Sequence, residues 1–499
     1  MGKPKQHARP PKGRKAKATV PETEDEFQEF ADREEEAGGK HRVGDPQKSG
    51  RAFVRALEIY DKGLHKHPTS FDLAYNKARL QLEITQHPTL VEHIGLPLID
   101  LLSQTLESHR YALRLNEENP DVLFNTSQVL TSLAEQLSEA GQSHHAIPLL
   151  QESLELLSSC LSRQEMLLEQ QQTELEDAED GGVPLSPGEK PSSTEGPDIA
   201  EQTARIETPV TANDLLDTVH ASLSSLTTLV PLVEPSAVQT YGDMAHVLTE
   251  KRAISYISLL PTDLQNPARF AVGLDRAIFI ASFADAQYSY MATELETYKA
   301  RLEAFDVPGK DSSAHALCSE AEARTEFTLS VMDRLQGSPE LPADICWKEL
   351  STAQNLYAKA IKLGSEDANE RKANAYAYES KGDVELLRYR FATVPACPLA
   401  DSIKHSAKTL IQNAQTYYKG AAQLARGNGD SELEVKAKQR WLVATDIAAL
   451  VHGIDPKDEP FAGNSDNARG DLIRALEGLV DEGLIDTPLA EQIMKRIRE

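Results

Sequence analysis

The chain has 499 residues, 52 basic and 78 acidic side chains and a formal net charge of −26, with 40% hydrophobic and 6% aromatic residues. That apolar fraction can supply a core for two or three domains or one elongated array, and recurrent Ala, Leu, Glu and Gln favour helix over a β-sandwich or barrel. Four scattered cysteines (Cys160, Cys318, Cys346, Cys397) exclude a disulfide framework, no apolar run approaches the roughly 18 residues of a membrane span, and no secretory signal follows Met1. Gln6 stands where an N-myristoylation motif needs Ser or Thr. The expectation is a soluble, intracellular, all-α protein.

Residues 1–20 carry seven basic side chains and no acid, which leaves −33 for the rest of the chain. Lys12, Arg14, Lys15 and Lys17 form a candidate nuclear-import patch, or else a solubilising tail. An acidic run from Glu22 to Glu36 follows, opposed only by Arg33. Charge this dense with few apolar anchors predicts disorder, and residues 1–49 are expected to form a basic-then-acidic tail.

Helical periodicity begins near Gly50. Ala56, Tyr60, Gly63 and Leu64 share one face of a helix that Pro68 ends, the alternation of small and large residues allowing a close antiparallel neighbour. The next helix starts after Ser70 and reads FDLAYNKARLQLEI. A second copy follows, because NPDVLFNTSQVL at 119–130 aligns with SFDLAYNKARLQ at 70–81. Asp121 then matches Asp72, Phe124 matches Tyr75, Asn125 matches Asn76 and Ser127 matches Ala78. Gly141 to Leu157 supplies a partner helix with Ala146, Leu150 and Leu154 as its seam.

This pattern resembles the tetratricopeptide repeat, whose units of about 34 residues each hold two antiparallel helices. In that resemblance Ala56, Tyr60, Gly63, Leu64 and Pro68 take second-helix positions, while Asn76 and Ala78 take first-helix positions of the next repeat. It implies a superhelical array of helix pairs with a protein-binding groove, for which Asp72, Asn76, Asp121 and Asn125 are the candidate residues. The repeats are assigned to 50–175.

An acidic segment rich in Pro, Gly and Ser at 176–212 reads as an internal linker, and Ser186-Pro187 and Thr208-Pro209 in it are potential phosphorylation sites. A helical middle section at 213–310 includes one long predicted helix over 266–305. The second repeat-like section, 311–453, contains an internal echo. AQNLYAKAIKL at 353–363 and AQTYYKGAAQL at 414–424 place Ala353 with Ala414, Tyr357 with Tyr418, Ala360 with Ala421 and Leu363 with Leu424. Each copy precedes a further helix, near Lys372–Arg390 and Glu432–His452. Two short amphipathic helices within 454–499 suit a terminal cap.

Chemistry is sparse. There is no P-loop, HExxH, GxSxG or cysteine pair at metal-ligand spacing, so no cofactor, metal or catalytic residue is expected. His65 and His67 point apart on a helix, and with His144 and His145 they read as helix-terminal residues. The resemblance raises the carboxylate clamp of Hsp70 and Hsp90 co-chaperones, and Asn76-Lys77-Ala78 looks like one clamp position. Asp121 and Asn125 nevertheless stand where a third repeat needs Lys and Arg, and an acidic groove repels a carboxylate. The expected function is a non-enzymatic adaptor or chaperone for a basic protein client, a ribosomal protein first and a histone next. The alternative is a scaffold subunit of a larger nuclear or translation-related complex. Direct nucleic-acid binding is expected only through residues 1–20, with location in the nucleus or cytoplasm.

Overall fold

The computed structural model describes residues 20–42, 44–180, 209–335, 341–363, 368–393, 401–454 and 466–498, and among these all regular structure is helical. The import patch Lys12, Arg14, Lys15 and Lys17, most of the linker (181–208) and Cys397 lie outside the described residues. Two compact units divide the chain, residues 1–125 and 126–499.

The first unit contains α1 (Glu24–His41), α2 (Pro46–Lys66), α3 (Phe71–Thr85), α4 (Pro88–Ile94), α5 (Leu98–Leu115) and the start of α6 (Pro120–Glu139). Helix α1 corrects the expectation for the acidic run, which is helical. A capping box opens it, with the Thr23 side chain bound to the Glu26 amide and the Glu26 carboxylate bound to the Thr23 amide. Phe27, Ala31 and Gly38 turn inward against α2, while the acids face outward or find cations. Arg55 meets Glu34 at 2.6 Å, Arg79 meets Glu35, and Lys40 meets Glu36 at 2.7 Å. Counting charges missed this because the apolar anchors, though few, fall on one face. Helix α1 also supplies the antiparallel partner that the second-helix pattern of α2 requires. At Gly38 a Cβ would lie 2.4 Å from the Phe53 ring, so only glycine allows the two helices to approach this closely. Helix α3 then packs on α5, and the short α4 that connects them in the chain packs on α2 and α3.

The second unit runs from within α6 through α7 (Ser143–Asp180), α8 (Ala212–Leu229), α9 (Pro235–Val247), a π-helical turn (Leu248–Arg252) and α10 (Ala253–Leu259) to α11 (Thr262–Ser289) and α12 (Leu295–Arg301). There follow α13 (Ala314–Arg334), α14 (Ala343–Leu363), α15 (Ala368–Thr393), α16 (Asp401–Lys404), α17 (Ala407–Asn428), α18 (Ser431–His452), α19 (Asp466–Asp481) and α20 (Thr487–Arg498). The expected seam Ala146, Leu150 and Leu154 is buried. Helix α7 continues through Asp180 into the segment assigned to the linker, since Glu, Gln, Leu and Ala sustain a helix until Gly181.

The single long helix expected at 266–305 is two helices. After Ser289 the chain reverses through Met291, which takes a left-handed φ of 58°, and the Ala292 amide closes the turn on the Gln287 carbonyl at 2.8 Å. That reversal brings Tyr298 back against Tyr288 and Phe327.

The internal echo is a pair of equivalent positions in space as well as in sequence. Ala353, Tyr357 and Ala360 on α14 are buried, as are Ala414, Tyr418 and Ala421 on α17, whereas the fourth pair departs from the pattern, Leu363 being 41% exposed and Leu424 half-buried. Their partner helices α15 and α18 occupy the expected places, and α15 lies along both α14 and α17. At Gly382 a Cβ would stand 2.5 Å from the Tyr418 ring, so the glycine lets that ring approach the α15 backbone. Trp347 carries the Arg388 guanidinium 4.5 Å from its ring centre, and Trp441 carries the Lys419 ammonium at 5.6 Å. Among the described residues no helix is long and apolar enough to cross a membrane.

Candidate functional site

The groove residues read from the repeat pattern lie within the first unit but do not form one surface. Asn76 donates to Gln28 of α1 at 3.0 Å, so α1 covers its face. Asn125 donates to the Tyr75 hydroxyl at 3.2 Å, and the Asp121 charge adds to burial in pushing that phenol up. Asp72 and Asp121 are exposed in the first turns of α3 and α6. Lys77, the cation of the clamp-like triplet, pairs with Asp61 at 2.7 Å. The asparagines thus steady helix packing. His67 shows the same use of polar groups, meeting the Glu22 carbonyl at 2.8 Å where α2 ends against α1.

The most strongly charged concavity belongs to the second unit. Helix α13 presents Glu322, Thr325, Glu326, Leu329, Ser330 and Asp333 on one face at spacings of three and four. Ser380, Asp383 and Arg390 of α15 form a second wall, and the turn from Asp481 to Asp486 between α19 and α20 forms a third. They enclose a cavity of about 720 Å³. Seven carboxylates line it (Glu322, Glu326, Asp333, Asp383, Asp481, Glu482 and Asp486), and Arg390 is the one cation among the lining residues.

A polar frame holds these walls together. Arg440, 4% exposed, lies behind the cavity and binds Glu379 at 3.1 Å, Asp383, and Glu482 at 2.5 Å. The Tyr418 hydroxyl donates to Asp383 at 2.7 Å, and Arg390 donates to the Gly483 carbonyl. Gly483 takes a φ of 71°, and Leu484 and Ile485 beside it are buried, so the turn is fixed by packing as well as by charge.

Crowding changes the proton affinities. Glu322 and Glu326 reach solvent through the mouth of the cavity, yet the neighbouring protein removes much of their hydration. Desolvation pushes Glu326 up to about 7, with Asp285, Glu322 and Glu482 adding their negative charge. Glu322 is raised by desolvation alone. Asp285 is raised for the same reason, against hydrogen bonds from Ser330 and from Tyr298 at 2.9 Å. Burial also raises Asp383, and Arg440 opposes it. Such a site draws cations, because bringing a positive group among desolvated carboxylates relieves their mutual repulsion. The nearby Cys318 thiol is no nucleophile, since burial and then Glu322 push it up to about 12. Among the described residues no cluster of His, Cys, Asp and Glu is arranged to hold a metal ion.

Part of this site is visible in the sequence, as Glu322, Glu326 and Asp333 at spacings of four and seven. The other walls arrive from residues about 60 and 160 positions further on, which no local pattern connects.

No protein-family model matches the chain. It is 27% identical over 415 residues, 82% of its own length, to the UPF0656 protein C926.02 of Schizosaccharomyces pombe, of which those residues cover 86%. Among solved structures it aligns with a "Circular tandem repeat protein with novel repeat topology and enhanced subunit contact surfaces" over 95% of this chain and 96% of that one, at 11% identity and a TM-score of 0.24. It aligns with the yeast Tom70 over 94% and 95% of the two chains, at 12% identity and a TM-score of 0.17. Both structural alignments are too loose to bear on fold or function.

Proposed function

We propose that this chain is a non-enzymatic helical-repeat protein that binds a basic protein client and screens its positive charge. The observation that carries the reading is the cavity of the second unit, lined by seven carboxylates and one guanidinium; of the seven, Arg440 behind the wall pairs only Asp383 and Glu482. Charge distribution supports it. Residues 1–125 hold 19 basic and 20 acidic side chains, whereas residues 126–499 hold 33 and 58, so −25 of the −26 lies in the unit that contains the cavity. A field of that sign attracts lysine- and arginine-rich segments and repels nucleic acid. A ribosomal protein awaiting its RNA is the client class to test first, and a histone the second. The run Lys12 to Lys17 is the segment we propose for nuclear import.

The test is retention of lysate proteins on the intact chain at about 0.1 M and about 0.5 M salt, beside the variant Glu322→Gln/Glu326→Gln/Asp333→Asn. A basic protein held at low salt, shed at high salt and lost by the variant supports the reading. Neutral or acidic proteins held equally at both salts sink it and favour a scaffold subunit.

A further inference from the structure

A second pocket of the same unit is lined mainly by cations. Helices α9, α11 and α12 and the π-helical turn Leu248–Arg252 converge on a cleft of about 260 Å³. Arg276 of α11, Arg301 of α12 and His246 of α9 line it, against a single carboxylate, Asp243. Its apolar wall is the half-buried Ile280, with the largely buried rings of Phe279 and Phe283 beside it on α11. Gly242 on α9 lets the two helices close together here, because a Cβ at that position would stand 2.7 Å from the Phe283 ring.

The partners of these groups decide what remains for a ligand. Asp243 accepts from the Gln239 amide at 2.9 Å. Glu250, carried by the π-helical turn, lies 3.0 Å from Arg276 Nε and offsets its charge. Arg301 differs from both. It is half-buried, it makes no ion pair or hydrogen bond among the described residues, and its guanidinium stands 5.3 Å from the centre of the Phe283 ring. Acids outnumber bases by 58 to 33 in this unit, so a guanidinium that lines a cleft and meets no carboxylate goes against the local supply of partners. Thr249 of the π-helical turn also lines the cleft, and such bulges in α-helices occur frequently at functional sites.

Size and charge define the ligand. The cleft is smaller than the roughly 300–1,000 Å³ of sites for drug-sized molecules, so the body it admits is about that of one aromatic ring. One unpaired guanidinium balances one negative charge, and its planar fork matches a carboxylate. A phosphate dianion would keep excess negative charge beside Asp243. We propose that this cleft binds a small carboxylic acid with an apolar body, its carboxylate on Arg301 and its body against Ile280. The site is independent of the basic-client reading, and either can fail alone.

The probe is 3-(4-fluorophenyl)propionate, compared with its uncharged amide and with 4-fluorophenyl phosphate. Each is titrated into the full chain and into Arg301→Gln, with the fluorine resonance of the ligand as the readout. Arg301 donates no hydrogen bond to the described residues, so its replacement leaves no buried acceptor unpaired, and circular dichroism checks that the variant folds. The acid is expected to bind the wild type about tenfold more tightly than the amide, and Arg301→Gln to lose that factor. Equal binding of acid and amide to the wild type overturns the proposal whether or not the variant folds. A preference for the acid that survives in Arg301→Gln also overturns it, by placing the anion elsewhere. Tighter binding of the phosphate than of the acid overturns the carboxylate assignment, and no binding of the acid up to about 10 mM overturns the site.

Discussion

A buried histidine and a glutamate at the mouth of the acidic cavity give this protein opposite responses to pH. His109 on α5 is fully buried, and neither ring nitrogen has a hydrogen bond of good geometry. Burial pushes its imidazole down to about 4, only partly offset by the Ala78 carbonyl. The unfolded chain therefore takes up a proton that the folded one refuses. Stability falls as pH drops from about 6.5 towards 4, by on the order of 3 kcal/mol when the whole shift is expressed. His109→Leu should flatten that slope in urea unfolding at pH 5 and pH 7, and an unchanged slope would reject the assignment. Glu326 has the reverse sign. Its carboxyl, raised to about 7, contributes stability below the ordinary carboxylate range that is lost as pH rises through 7. The advantage of Glu326→Gln over wild type should accordingly grow between pH 5 and pH 8. Parallel curves would show that Glu326 is hydrated like any surface glutamate.

Helices succeed or fail here according to one face. Phe27 is 3% exposed and joins Phe53, Tyr60 and Leu73 in the core of the first unit. Phe27→Ala should cost about 3–5 kcal/mol and expose the amides of α1 to hydrogen exchange. An unchanged exchange pattern would mean that α1 is held by its ion pairs alone. The second element-level prediction concerns Met291, a non-glycine residue at a left-handed φ and 77% exposed. Met291→Gly should raise stability by up to about 1 kcal/mol in thermal unfolding, because it removes the Cβ clash and sacrifices no buried contact. The same two elements mark what could be read from sequence. Periodicity placed the paired helices α2 and α3, α14 and α15, and α17 and α18, because small and large residues alternate on their buried faces. It missed α1, where eight acids outnumber the anchors Phe27 and Ala31, and it ran α11 into α12, because no glycine or proline announces the turn at Met291. Asn76 and Asn125 were legible as first-helix residues but not as packing residues, since their partners Gln28 and Tyr75 lie about 50 positions away.

Charge is a property of the whole chain, and its uneven division should be measurable. Residues 126–499 carry nearly all of the excess of acids, so self-repulsion destabilises that unit and scarcely touches residues 1–125. Raising a non-binding salt from about 0.01 M to about 0.3 M should shift unfolding of the second unit to higher temperature while leaving the first nearly unmoved. Equal shifts would show that the folded surface disperses its charge better than the composition implies. The tryptophans provide the means to tell the units apart. Both indoles of the chain, Trp347 and Trp441, belong to the second unit, each stacked under a cation, and the first contains only tyrosines and phenylalanines as aromatic chromophores. Light absorbed by indole alone therefore interrogates the acidic unit without any attached dye, and subtracting that signal from far-ultraviolet dichroism isolates the melting of residues 1–125.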